Sequence, residues 1–192
     1  MDADGKEAKG FGNKGLNDLV AITVVILTVF MAISKVKDDN INQAMQKAKS
    51  ESVDAWAEYQ AARIKLHVDE NGLSMLRLLE SGTAIEKTLA AKQAAEYESD
   101  IKKYQARSTE TMAKAKALEA EYDRLNFRDD QFDMSDAFLS IAIALAAVAA
   151  LVDAFWMLYL SWGAGGFGLL MGIAGFLGFN LRPEWLATLL GT

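Results

Sequence analysis

Three uncharged, apolar runs at residues 19–34, 137–152 and 154–181 frame a charged stretch at residues 35–136. A helix needs roughly 20 apolar residues to cross a hydrocarbon layer about 30 Å thick. The first two runs have 16 uncharged residues each and the third has 28. Charged residues at the ends of the short runs can reach the headgroup region, which lengthens the usable span. The layout predicts an all-α protein with three transmembrane helices.

The alternative for the two short runs is a pair of buried helices in a soluble protein. The third run argues against it, because Trp156, Tyr159 and Trp162 lie near one end and Trp185 lies past the other. Aromatic residues at both ends of a span are typical of the membrane interface. The chain has a formal net charge of −6 and no cysteine. This composition argues against a nucleic-acid partner and excludes disulfides and thiolate chemistry.

The charged stretch reads as a long antiparallel helical hairpin, in which a coiled coil joins spans 1 and 2. Two dipeptides interrupt its helical pattern, Asn71-Gly72 and Ser81-Gly82. We place the tip near 81–82, because arms at 35–80 and 83–136 then have similar lengths, and we treat residues 72–80 as a short apical helix or a kinked last turn. Thr83 and Glu86 have the spacing of a capping box. From there the sequence predicts one unbroken helix to Val152, since neither Gly nor Pro intervenes.

Both arms carry residues at heptad spacing. The predicted seam of the second arm is Ala94, Tyr97, Ile101, Tyr104, Ser108, Thr111, Ala115, Leu118, Tyr122 and Leu125, and that of the first includes Ile41, Met45, Ala48, Ala55, Tyr59, Ala62 and Leu66. We expect hairpin packing to depend on Trp56, Tyr59, Tyr97, Ile101, Tyr104, Leu118 and Tyr122. Such small-residue seams bury little apolar area, so two arms alone make a weak hairpin. Association with other copies would bury more, which favours a homo-oligomer. The alternative is a monomeric hairpin held by the membrane.

Small residues also fill the spans. We predict helix packing in the membrane at Gly165, Gly168, Gly172, Gly175, Ala146 and Ala150, because small residues let helix backbones touch in lipid. The alternative is a pore with Thr23, Thr28 or Ser140 facing a water-filled axis.

Motifs for catalysis are not evident in the sequence. His67 has no second ligand at metal spacing, and Asp69 and Glu70 are expected on other helix faces. We therefore predict no enzyme activity, no catalytic residue, no cofactor and no metal. The acidic residues Asp129, Asp130, Asp133 and Asp136 are expected to form a solvated collar where the arm meets the membrane; the alternative is a patch that attracts cations or a basic partner.

The segment Trp56-Ala-Glu-Tyr59-Gln60-Ala-Ala-Arg63-Ile64-Lys65 resembles the W-x-x-Y-Q-A-K-x-I-K signature of a bacterial membrane-protein family, the domain of unknown function 4337 family. The apolar segment from Phe138 to Leu151 is also similar to that family's second span. The resemblance implies the same order of spans and hairpin, and location in the bacterial inner membrane. The family commonly has basic residues in the turn before the last span, where this chain has Asp153.

Orientation depends on which charges are counted. Counting Lys and Arg near the spans favours a cytoplasmic hairpin, whereas the basic turn of the family implies an extracytoplasmic one, which we favour. Five segments are expected: a flexible N-terminus at 1–15, a transmembrane helix at 16–34, the hairpin at 35–136, two transmembrane helices at 137–181 and an interfacial tail at 182–192.

Two functions fit this architecture. The first is a homo-oligomeric, membrane-anchored scaffold or interaction protein, whose partners are itself, membrane lipid and other membrane proteins. The alternative is a channel-like or transport-accessory oligomer with Ala- and Gly-packed spans.

Overall fold

The computed structural model describes residues 13–78 and 83–179. Within these ranges the chain forms three helices and no strand: α1 (Lys14–Leu78), α2 (Ala84–Leu151) and α3 (Phe155–Leu177). The all-α fold class is confirmed, and each helix contains a stretch long and apolar enough to cross a membrane. Residues 1–12 of the predicted N-terminal segment, the predicted tip at 81–82 and the predicted tail at 182–192 lie outside the described residues.

Helix α1 does not break at Asn71-Gly72, so that prediction is wrong. The helix continues to Leu78. A Cβ atom placed at Gly72 would lie 2.8 Å from Cζ of Tyr97, because the tyrosine ring rests against the backbone at that point. The glycine therefore permits a close approach between α1 and α2, and the helix tolerates its low propensity, a cost of about 1 kcal/mol.

Helix α2 begins at the predicted capping box. The backbone N–H of Thr83 donates to Oε2 of Glu86 at 2.6 Å, and the backbone N–H of Glu86 lies 3.5 Å from Oγ1 of Thr83. The hydrogen bonds from Thr83 to the Glu86 carboxylate lower the pKa of Glu86. From this cap the helix runs to Leu151 without interruption, which confirms the predicted single helix.

A tight turn joins α2 to α3. Asp153 has a φ of 52°, and α3 begins after Ala154. The Asp153 carboxylate accepts a hydrogen bond from the backbone N–H of Asn13 at 3.0 Å, beside the first residues of α1. At its other end α3 stops at Gly178, whose φ of 71° is the left-handed conformation that commonly ends helices.

The chain divides into two compact units. The bundle unit comprises the described residues 13–43 and 125–179, and it contains the first part of α1, the last part of α2 and all of α3. Its core includes Leu16, Val20, Leu27, Leu139 and Leu158. The arm unit comprises residues 44–124 and contains the remaining parts of α1 and α2.

Within the arm unit, contacts pair rising residue numbers on α1 with falling numbers on α2. Lys49 lies against Tyr122, Glu58 pairs with Arg107, Lys65 lies against Tyr104 and Gly72 contacts Tyr97.

Candidate functional site: helix seams and a carboxyl cluster

Four glycines of α3, at positions 165, 168, 172 and 175, lie where the helix touches its neighbours in the bundle unit. A Cβ atom at Gly168 would lie 2.9 Å from Cγ of Leu139 and 3.1 Å from the backbone oxygen of Ser135. At Gly172 it would lie 2.6 Å from Cε1 of Phe30. The backbone of α3 therefore approaches both α2 and α1 of its own chain.

The other predicted packing residues belong to the same contacts. Gly165 faces Leu27, with 3.1 Å between the added Cβ and Cδ1, and Gly175 faces the ring of Phe132 at 2.9 Å. Ala146 is fully buried, and Ala150 is half-buried in the same cluster. All six predicted residues thus pack within a single chain, so their small size is explained without a second copy.

Two buried serines join α2 and α3 through reciprocal hydrogen bonds. Oγ of Ser135 on α2 donates to the carbonyl of Gly168 on α3 at 2.7 Å. Oγ of Ser161 on α3 donates to the carbonyl of Ala142 on α2, also at 2.7 Å. Sequence reasoning missed both residues, although Ser161, a serine inside an otherwise apolar run, was an available signal; Ser135 lies before the second run.

Two polar residues considered for a pore also have partners within the chain. Thr23 accepts a hydrogen bond from Nε1 of Trp162 at 2.9 Å, and Oγ of Ser140 lies 3.8 Å from the sulfur of Met31.

Arg128 and Gln131 of α2 bind the C-terminal end of α3. The Arg128 guanidinium donates to the carbonyl of Gly175, at 2.9 Å from Nη2 and 3.2 Å from Nε. Nε2 of Gln131 donates to the carbonyl of Phe179 at 2.6 Å. A positive charge at the C-terminus of a helix complements its dipole, so this contact stabilises the end of α3.

The seam of the arm unit follows heptad spacing on both helices. All ten predicted seam positions on α2 are buried or half-buried. The same holds on α1 for ten positions of the arm unit spaced alternately by three and four residues: Met45, Ala48, Ser52, Ala55, Tyr59, Ala62, Leu66, Asp69, Leu73 and Leu76. Four of these, Ser52, Asp69, Leu73 and Leu76, were not predicted.

Small side chains occupy most of the deeply buried positions of this seam, with Leu66, 3% exposed, as the large exception. Ala55, Ala62 and Ala115 are at most 4% exposed, whereas the larger predicted packing residues are only half-buried. These half-buried residues are Trp56, Tyr59, Tyr97, Ile101, Tyr104, Leu118 and Tyr122.

Trp56 and Tyr59 stack edge to face at 5.5 Å between ring centroids. Nε1 of Trp56 also donates to Oε1 of Glu119 at 2.8 Å, which ties α1 to α2 at the edge of the seam. Arg63 and Lys65 of the signature segment are exposed.

Carboxyl groups gather at the end of the bundle unit beyond the apolar runs. Asp38 of α1 is 3% exposed and Asp130 of α2 is 4% exposed, with Asp129 half-buried beside them. The expected solvated collar is therefore wrong for Asp130, while Asp133 and Asp136 are exposed as expected. Asp38, on α1, completes the cluster.

One cation and one amide donate hydrogen bonds to the cluster. Nζ of Lys35 donates to Oδ2 of Asp38 at 2.7 Å, and this bond raises the pKa of Lys35. Nδ2 of Asn42 donates to Oδ1 of Asp129 at 2.8 Å.

Burial raises the pKa of Asp129 to about 7, and a hydrogen bond with Asp38 and the charges of Asp133, Asp38 and Asp130 act in the same direction. Loss of hydration, together with the charge of Asp38, also raises the pKa of Asp133. The cluster can therefore take up a proton near neutral pH.

His67 lies on the surface of the arm unit. Its Nδ1 is 2.9 Å from Oε2 of Glu70, so Glu70 does share its helix face, contrary to expectation. Within residues 13–78 and 83–179, no group of three His, Cys, Asp or Glu side chains could hold a metal ion.

The match to known proteins is at the level of a family. A family model described as "Domain of unknown function (DUF4337)" matches residues 16–178, which include all of α2 and α3 and nearly all of α1. The curated proteins and the solved structures yield no match.

Proposed function

The chain belongs to the DUF4337 family, and we propose that it is a membrane-anchored coiled-coil scaffold or interaction protein that works as a homo-oligomer. The observation that carries this proposal is the arm unit, in which ten positions on α1 and nine on α2 follow heptad spacing and all are at least half-buried. A paired helix rod of this kind is the element that a membrane-anchored scaffold requires.

We infer that the arm unit is an antiparallel coiled-coil hairpin. The order of its contacts supports this, from Lys49 beside Tyr122 to Gly72 beside Tyr97. The alanine-rich centre lets the helices approach closely but removes little apolar surface from water. Further stabilisation by another copy is consistent with this small buried area.

The bundle unit is the proposed anchor. Its helices contain the three apolar stretches, and their glycine and serine contacts are those that hold helices together in lipid. We propose that the anchor lies in a bacterial inner membrane with the arm unit on the extracytoplasmic side. The alternative of a channel gains no support from Thr23 and Ser140, because both contact side chains of the same chain.

The homo-oligomer is tested by the mass of the purified protein. We expect a discrete multiple of the chain mass in mild detergent and in lipid nanodiscs, by native mass measurement. A monodisperse monomer in both would overturn the proposal.

The hairpin is tested with cysteine pairs, since the chain has no cysteine of its own. Glu58→Cys with Arg107→Cys replaces side chains whose tips lie 3.0 Å apart, and the two thiols should be joined within one chain by a short bismaleimide linker. The control pair, Glu58→Cys with Ala95→Cys, lies about 18 Å out of register along α2 and should not. Equal cross-linking of the two pairs would contradict an ordered hairpin.

The orientation is tested by labelling Ala113→Cys, an exposed position of the arm unit, with a membrane-impermeant maleimide in intact cells. Labelling before lysis supports an extracytoplasmic arm, and labelling only after lysis overturns it.

A further inference from the structure

Helix α1 carries a second apolar stripe on the face of the arm unit that α2 does not cover. We call it the outer stripe. It has the same alternating spacing as the buried seam and consists of Ala57, Ala61, Ile64, Val68, Met75 and Leu78, with Asn71 at the remaining position. The four largest side chains are 61% to 85% exposed.

The outer stripe lies far from the seam around the helix. At 3.6 residues per turn, its mean direction is about 160° from that of the seam positions beside it on α1, from Tyr59 to Leu76. A second copy of α1 can therefore contact the outer stripe without displacing α2.

The two faces of α1 differ in a way that indicates a partner. The seam covered by α2 has alanine and serine at its centre, including Ser52, Ala55 and Ala62. The outer stripe instead presents Ile64, Val68 and Met75 to solvent. Contiguous apolar surface of this kind marks interaction sites.

Charged side chains beside the outer stripe are turned away from it. Oε2 of Glu58 pairs with Arg107 of α2 at 3.0 Å, and Nζ of Lys65 lies 5.5 Å from the ring centre of Tyr104 on α2. These contacts leave the apolar side chains uncovered and place no charge over them.

We propose that the outer stripe is the surface where a second copy of this chain packs, α1 against α1, in parallel and in register. This inference rests on the proposed homo-oligomer and names the face that forms it. Both copies enter the membrane through the apolar run at residues 19–34 of α1, so their α1 helices leave it in the same direction. With this common anchoring, parallel packing lets the two copies touch along the whole outer stripe. The stripe is about 33 Å long over residues 57–78.

The polar position and the flanking residues fit this arrangement. In register, Asn71 of one copy meets Asn71 of the other, and the two side-chain amides can hydrogen-bond to each other. The flanking positions that approach each other are Gln60 with Lys65 and His67 with Gly72, and neither pair joins charges of the same sign. The register therefore costs no like-charge repulsion at these positions.

Single cysteines in the full-length protein in native membranes provide the first test. Residues that meet their own counterparts cross-link on mild oxidation, so Ile64→Cys and Val68→Cys should give covalent dimers. Ala106→Cys, an exposed position on α2, is the matched control and should stay monomeric on denaturing gels. Equal cross-linking at the three positions, or cross-linking of Ile64→Cys and Val68→Cys to a different protein, would overturn the second-copy assignment.

A charge substitution provides the second test. Val68→Glu should weaken association about tenfold or more in nanodiscs, because it places two like charges in an apolar contact. Leu89→Glu on α2 is the control, since Leu89 is 64% exposed, close to the 61% of Val68. Unchanged helical content in both variants would show that neither unfolds.

The outcomes separate this inference from the proposed function. A wild-type monomer would overturn both. A wild-type oligomer that survives Val68→Glu and does not cross-link at Ile64→Cys would overturn the outer stripe and leave the homo-oligomer standing.

Discussion

The bundle unit and the arm unit both place small residues at their helix contacts, but their polar groups act differently. In the bundle unit, Ser135 and Ser161 donate across the interface to carbonyls of the facing helix. In the arm unit, Ser108 donates to Gln105 and Thr111 donates to Arg107, so these hydroxyls bond within their own helix. At the buried contacts, close approach brings a cross-helix hydrogen bond in the bundle unit and mainly van der Waals contact in the arm unit, whose cross-helix hydrogen bonds, such as Trp56 to Glu119, lie at the edge of the seam.

The difference shows where each unit obtains its specificity. In lipid, apolar area does not drive helices together, so packing and cross-helix hydrogen bonds must do so. In water, burial of apolar area does drive association. The arm unit buries alanine and leaves Ile64 and Val68 exposed, so we expect a partner to cover them. The four glycines at the helix contacts of α3 need no partner, because they already contact helices of the same chain.

The largest effect is expected for Gly168→Leu in the bundle unit. The added Cβ would meet the backbone nitrogen of Leu139 and the backbone oxygen of Ser135, each at 3.1 Å, so α2 and α3 must separate. We expect a loss above the 1–3 kcal/mol typical of an overpacked core, roughly 3 kcal/mol or more. The measurement is the thermal unfolding midpoint in nanodiscs.

Gly163→Leu is the control for that experiment. Nothing lies within 4 Å of a Cβ atom at Gly163, on the same helix. Equal destabilisation by the two substitutions would mean that helix propensity or membrane insertion, and not contact with α2, explains the effect.

A smaller effect is expected at the corresponding position of the arm unit. Ala115 is fully buried in the seam, and Ala115→Leu should destabilise the arm by about 1–3 kcal/mol through overpacking. Ala113→Leu, at an exposed position two residues away, should change stability by less than about 0.5 kcal/mol. The check is chemical denaturation followed by circular dichroism; a stabilised Ala115→Leu would show that the seam has room for larger side chains.

Much of the fold was predictable because periodicity and caps act locally. The Thr83 to Glu86 spacing located the start of α2, and the absence of Gly and Pro predicted its length. Asn71-Gly72 was misread because turn rules consider only the dipeptide. The reason for the glycine, the ring of Tyr97, is 25 residues away on another helix.

The candidate surfaces were predictable in part, for the same reason. Heptad spacing identified the seam. The same spacing is present in the outer stripe, from Ala57 to Leu78, but it was not used to predict a second contact face. Asp130 is 4% exposed although charged residues surround it in the sequence, and that local sequence contains no signal for its burial.

The carboxyl cluster predicts a pH effect confined to the bundle unit. The raised pKa of Asp129, about 7, means that the folded state binds a proton that the unfolded state has lost between about pH 4 and pH 7. The free energy of unfolding should therefore fall as pH rises through this window and level off above pH 7.

Asp129→Asn should remove most of this dependence. It keeps the acceptor oxygen for Asn42 but not the charge, so the variant should be more stable than wild type at pH 8 and similar to it near pH 5. Thermal unfolding between pH 4.5 and 8.5 checks this. Some slope will remain from Asp133, whose pKa is also raised, but an unchanged slope would exclude Asp129 as its source.

The smallest effect, and the most direct test of the contrast between the units, comes from serine hydroxyls. Ser135→Ala leaves the buried carbonyl of Gly168 without its donor, at a cost of about 0.6–1.7 kcal/mol for a hydrogen bond in a membrane. Ser108→Ala removes a hydrogen bond to the carbonyl of Gln105, which lies on the same helix. Alanine is also a better helix former than serine. We therefore expect Ser135→Ala to destabilise the bundle unit and Ser108→Ala to leave the arm unit unchanged or slightly more stable. The two variants share one chemical change, so a difference in sign between them isolates the cross-helix hydrogen bond. Equal losses, measured by unfolding in the same lipid, would show that the two units use their small polar residues alike.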